Sequence, residues 1–169
     1  MNVYGVINGI RSFVPRMIAS GEPCHIVNTA SMAALTNMPF SGIYNMSKHA
    51  VLSLSETLFH ELALTAPQVG VSCLCPEAID TGIAQAARNR PAELDDAPQS
   101  DGRSLAEESI VTTTEKGLPP RAMAERVLNG IREGKFYLLA EDDGWRDTAN
   151  ARLDDIRGAS NPRLLPPEI

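Results

Sequence analysis

An α/β fold, a parallel sheet with helices on both faces, is what three features of this sequence predict. Stretches with helical apolar spacing alternate with short β-rich runs, in the order helix, strand, helix, strand, excursion, helix, strand. Strands separated by helices join through right-handed crossovers and therefore pair in parallel. The 169 residues suffice for one domain with a core, and 43% of them are apolar, which suits a packed chain.

The first helix is predicted over Asn2 to Ser20. Its stripe is Val3, Val6, Ile7, Ile10, Val14, Met17 and Ile18, Gly21 is the stop, and Pro15 is expected to kink it. His25 to Ser31 follows Pro23 and reads as a short buried strand, then a loop contains Asn37, Pro39 and Gly42. From Tyr44 to Leu64 a second long helix carries Ala50, Val51, Leu54, Leu58 and Leu62 at helical spacing. Leu52, Phe59 and Ala63 widen that surface, which predicts burial on more than one side, in part against another subunit.

Val69 to Cys75 is a β-rich run closed by Pro76. The segment 81–117 is polar, with Pro91, Pro98 and the acidic run Glu93-Leu94-Asp95-Asp96, and reads as a mobile excursion. Its apolar Ile83, Leu105 and Ile110 would line a pocket or anchor the loop. Pro119 and Pro120 open a third helix whose apolar face is Ala122, Val127, Leu128 and Ile131. Gly134 precedes a strand from Phe136 to Ala140, and the sequence from Asp142 predicts a surface helix with a loose end.

Composition removes several classes of function. No stretch approaches the roughly 18 apolar residues of a membrane span, and no charged start with an apolar run suggests a signal peptide, so a cytoplasmic protein is expected. A net charge of −6 without any Lys/Arg run argues against nucleic acid. Three cysteines make no complete disulfide framework; Cys73 and Cys75, two apart on a strand, share a face and read as buried thiols. His25, His49 and His60 fall at no ligand spacing, so no metal site is expected.

Ligands of parallel α/β sheets bind beyond the carboxyl ends of the strands, and Ser31 and Pro76 lie at two such ends. Tyr44 and Lys48, four apart, share one helix face. An ammonium one turn away favours a phenolate, which can exchange a proton with a reacting oxygen. Ser31 stands 13 positions before Tyr44 (44 − 31), where a hydroxyl can polarise the same oxygen. Alone, the Tyr–Lys pair reads as a solvated face and Ser31 as a loop residue or helix cap; the combination points to chemistry.

The runs Ile26-Val27-Asn28-Thr29-Ala30-Ser31 and Tyr44-Asn45-Met46-Ser47-Lys48-His49-Ala50-Val51 resemble the catalytic centre of the short-chain dehydrogenases/reductases. Leu54-Ser55-Glu56-Thr57-Leu58 with Glu61-Leu62, Cys75-Pro76 with Thr81, and Asn2-Val3-Tyr4-Gly5 add to the resemblance, which covers residues 1–140. It implies the C-terminal part of a Rossmann-like doubly wound parallel sheet, about three parallel strands flanked by helices. Residues 1–140 would be the catalytic part of one truncated domain, with 81–117 as substrate loop and 141–169 as surface helix and tail.

The resemblance implies Tyr44 as general acid/base, Ser31 as polarising hydroxyl, and Lys48 as the group that supports Tyr44 and holds the nicotinamide ribose. Asn2 would steady the water that connects Lys48 to solvent. The backbone from Pro76 through Glu77 to Ile79, with the Thr81 hydroxyl, would contact the nicotinamide carboxamide of NAD or NADP. A small alcohol or carbonyl is the implied substrate, and helices 2–20 and 44–64 the implied homo-oligomer contact.

This sequence departs from the family pattern twice. Glu77 stands where the family usually has Gly, and its side chain is expected to point outward. No G-x-x-x-G-x-G or G-x-G-x-x-G occurs, so the family's first four strands would precede Met1, with the pyrophosphate and adenine site outside this chain. The strand around Val27 would then be an open apolar edge. A fragment, an internal start at Met1 and completion by a partner all fit. Two functions stay in play: an NAD(P)-dependent oxidoreductase, and a non-catalytic remnant or interaction subunit that keeps the fold. A serine hydrolase is disfavoured, because no G-x-S-x-G elbow surrounds Ser31.

Overall fold

The computed structural model describes residues 2–89, 91, 101–141 and 143–164. Helix α1 (Asn2–Ser20) runs as one helix through Pro15, and Gly21 ends it at φ +69°, a left-handed conformation open to glycine. Strand β1 (Cys24–Thr29) follows, then α2 (Gly42–Thr65), β2 (Val69–Cys75), α3 (Asp101–Glu115), α4 (Pro120–Arg132), β3 (Tyr137–Leu139) and α5 (Asp143–Arg157). Short 3-10 segments lie at Met32–Ala34 and Gly82–Asn89.

The three strands form one parallel sheet in the order β1-β2-β3, with Cys24 opposite Val69 and Cys73 opposite Tyr137. Among the described residues, β1 has a sheet neighbour on one side only. Alternation along β2 divides the core. Val69 and Val71 meet Leu58 and Leu62 of α2 and Val14 of α1, while Cys73 and Cys75 meet Val51 and Leu52. Leu74, facing the other way, packs with Met123 of α4 and Leu138 of β3. Helices therefore cover both faces, and the carboxyl ends of the strands are left for the loops.

Three local expectations change. On α4 the expected face holds only in part: Val127 packs with the buried Met123 against Leu74 and Leu138, while Leu128 is exposed. The segment 81–117 contains the 3-10 segment and α3, on which Ile110 is exposed, as is Ile83. Those two apolar side chains do not anchor the segment in the core. Pro98 and the run Glu93–Asp96 lie outside the described residues. Helix α5 is more than a surface element: Trp145 packs against the core, Ala149 is buried, and Asp155 accepts from the Arg163 backbone (2.9 Å) and guanidinium (2.7 Å).

Candidate active site

The site is built where β1 and β2 end. Ala30 N–H donates to the Leu74 carbonyl at 2.7 Å, and Met32 N–H donates to the Pro76 carbonyl at 3.1 Å, so the two strand exits are tied together. Between them Ser31 is extended (φ −178°, ψ 164°) and caps the Met32–Ala34 turn, its hydroxyl oxygen accepting from Ala33 N–H at 3.2 Å. An accepting hydroxyl keeps its own proton to donate. The cap and the polarising role are therefore compatible.

Met32 and Ala34 pack against Val51 and Leu52, which seats the first half of α2 on this end of the sheet. Deeper in, Asn28 Nδ2 donates to Ser55 Oγ at 3.0 Å, and Ser55 donates to the Val51 carbonyl at 2.7 Å. Asn45 Nδ2 donates to the Met38 carbonyl at 2.8 Å and fixes the loop that leads into Tyr44.

Lys48 Nζ lies 5.5 Å from the centroid of the Tyr44 ring and 3.5 Å from the Thr29 carbonyl at the end of β1. Tyr44 is exposed at the helix start, and Lys48 is half-buried. Burial lowers the pKa of Lys48 from its ordinary value, and the neighbouring Cys75 and Cys73 sulfurs act in the opposite sense. Both cysteines are fully buried free thiols on the α2 side of β2, the shared face read from their spacing. A hydrogen bond with Cys73, followed by burial, pushes the Cys75 thiol up.

Asn2 does not reach Lys48 directly. Its Nδ2 donates to Ser47 Oγ at 3.3 Å, and Ser47 donates to the Tyr44 carbonyl at 2.8 Å, so α1 steadies the turn that carries Tyr44 and Lys48. After Pro76, residues 77–79 are half-buried, and Thr81 is exposed before the 3-10 segment. Ile79 forms a parallel bridge with Leu118, flanked by Leu118 N–H to the Ala78 carbonyl and Asp80 N–H to the Leu118 carbonyl, both 3.0 Å.

Glu77 does not point outward into solvent. Its carboxylate takes both oxygens to Arg126 Nη1, at 2.8 and 2.9 Å, and its side chain is only 13% exposed. Among the described residues the non-glycine positive φ angles belong to Phe40 and Ala159, so Glu77 sits in ordinary backbone space and needs no glycine. Arg126 and Asn45 escape sequence reading. Arg126 lies 49 positions from its partner, and Asn45 works through one backbone carbonyl.

Among the described residues, no group of His, Cys, Asp and Glu could hold a metal ion, and no helix is long and apolar enough to cross a membrane.

A parallel sheet with helices on both faces, and polar side chains gathered at the carboxyl ends of its strands, defines a Rossmann-like α/β protein. The chain belongs to the short-chain dehydrogenase family, whose profile matches residues 1–92. The C alpha-dehydrogenase of a Sphingobium species is 36% identical over 142 residues, covering 82% of this chain and 45% of its own length. The 1-deoxy-11-beta-hydroxypentalenate dehydrogenase of Streptomyces exfoliatus is 32% identical over 159 residues, 94% of this chain and 50% of its own. A short-chain dehydrogenase/reductase from Burkholderia phymatum, solved in complex with NAD, superposes with a TM-score of 0.92 at 40% identity, over 99% of this chain and 60% of its own. The chain thus spans about half the length of the curated relatives it matches.

Proposed function

We propose that this protein serves an NAD(P)-dependent interconversion of an alcohol and a carbonyl, with Tyr44 as the general acid/base. The observation that carries the reading is the place of Lys48 Nζ, between the Tyr44 ring and the Thr29 carbonyl at the end of β1. It puts a cation beside an exposed phenol and beside the Thr29 carbonyl, two residues before Ser31. When bound, the nicotinamide cofactor takes up or returns the hydride.

In the oxidation direction, Tyr44 receives the alcohol's hydroxyl proton as its C–O bond becomes C=O; in reduction it returns that proton. The Ser31 O–H donates to the same oxygen and favours the charge that develops there. Lys48 makes one long bond to a backbone carbonyl, so its ammonium keeps donors for ribose hydroxyls beside Tyr44. Asn2, through Ser47, holds this turn. The backbone from Pro76 to Ile79 and the Thr81 hydroxyl would hold the carboxamide. The sequence has no glycine-rich turn for the pyrophosphate, so the fit concerns the nicotinamide end alone.

Titration of the purified chain with NADH and with NADPH, followed by nucleotide fluorescence, tests this reading. Saturable binding of either nucleotide is expected. A folded chain that binds neither contradicts catalysis by these 169 residues on their own.

The homo-oligomer contact belongs to the same proposal. Tyr4 and Phe13 on α1 and Met46 and Leu64 on α2 are exposed, at 74%, 57%, 61% and 86%, which is much apolar surface for water to meet on two neighbouring helices. Sedimentation at the mass of at least two chains is expected; a single-chain mass at all concentrations contradicts it.

A further inference from the structure

Glu77, which stands where the family usually has Gly, is held by an ion pair beside the site. Glu77 follows Pro76 directly and leads into Ala78–Asp80, the backbone strip bonded to Leu118. One side of that strip is closed by Gly117, where a Cβ would stand 2.7 Å from Asp80 N and 2.7 Å from Ile79 C. The other restraint is Arg126, which comes from α4.

Arg126 is itself only 15% exposed, and besides Glu77 it reaches the Leu139 carbonyl at 3.4 Å and Glu141 Oε1 at 3.5 Å. One guanidinium therefore links the exit of β2 to the exit of β3. A carboxylate this far from water needs a partner. Without Arg126, Glu77 swings toward solvent and draws its own backbone with it, one residue before Ala78.

We propose that Arg126 is a positioning residue, holding the 77–81 loop through Glu77 in the geometry that receives the nicotinamide end of the cofactor. This rests on the nucleotide-binding reading above. The competing role is a purely structural one, fastening α4 to the sheet. It would change stability without changing nucleotide affinity selectively.

The experiment measures thermal unfolding and equilibrium binding of NADH and NADPH for the full chain and for four variants. Arg126→Ala and Glu77→Ala are each expected to weaken binding by about tenfold or more, since small misplacements of a binding group are costly. The double variant should bind no worse than the weaker single one, because both remove the same contact. Arg163→Ala, which breaks the Asp155 pair on α5, is the control: it should lower the melting temperature and leave affinity within about twofold of the parent.

If Arg126→Ala does not fold, Arg126→Lys decides, because it keeps the charge and loses the fork. Folded Arg126 variants with parental affinity, additive losses in the double variant, or an equal loss in Arg163→Ala overturn the inference and leave nucleotide binding standing. A folded parent that binds neither nucleotide overturns both.

Discussion

Asn28 on β1 and Ser55 on α2 are joined by a 3.0 Å hydrogen bond inside the core, with 8% and 0% of their surfaces exposed. Through it the helix that carries Tyr44 and Lys48 is locked against the strand that leads to Ser31. Either side chain cut to alanine leaves the other partner without its bond, at a cost of about 1–3 kcal/mol. Thermal unfolding of Asn28→Ala and Ser55→Ala should fall by about 2–4 °C for each kcal/mol lost. Parental melting temperatures would show that the bond adds nothing.

Gly117 approaches the 77–81 loop more closely than any side chain allows, since its Cβ would meet the backbone of Asp80, Ile79 and Ala78 at 2.7 to 2.9 Å. Backbone cannot rotate away as a side chain can. Gly117→Ala should cost about 1–3 kcal/mol and displace the strip after Pro76. Amide hydrogen exchange at Asp80, whose N–H donates to Leu118, should accelerate; unchanged protection contradicts the account.

His25 carries the pH dependence that the fold makes predictable. Ser72 Oγ donates to the Lys135 carbonyl at 2.6 Å, so at 2.7 Å His25 Nε2 must be the donor to Ser72, while Nδ1 lies against Gly70. Burial lowers the His25 pKa below its ordinary 6.5, so the unfolded chain binds the proton more readily. Stability from His25 is therefore present above about pH 6.5 and is lost as pH falls from there through the lower folded value. Urea unfolding at about pH 7.5 and about pH 5 should show a smaller difference for His25→Gln than for the parent. An equal difference assigns the effect elsewhere.

Legibility in the sequence followed burial. Val69–Cys75 was readable to the residue because every side chain but Gly70 is buried and Pro76 cannot continue the ladder. The end of β1 was not, since Ser31 is extended like a strand residue yet caps the Met32–Ala34 turn. Helix α3 left only a broken pattern, and its apolar Ile110 and Val111 are exposed. The proposed site residues Ser31, Tyr44 and Lys48 come from local spacing, the first just beyond β1 and the other two on α2. Arg126 could not, because its link to Glu77 exists only after α4 has packed beside the exit of β2.

The proposed proton transfer through Tyr44 is tested by the Tyr44→Phe variant. Nucleotide reduction is followed by absorbance with a panel of secondary alcohols, at saturating cofactor, for parent and variant. Loss of the hydroxyl should lower the turnover rate by about 10²–10⁴ while NADH affinity stays near the parent's, because only the proton transfer is removed. A Phe variant that turns over at the parent's rate would contradict the account.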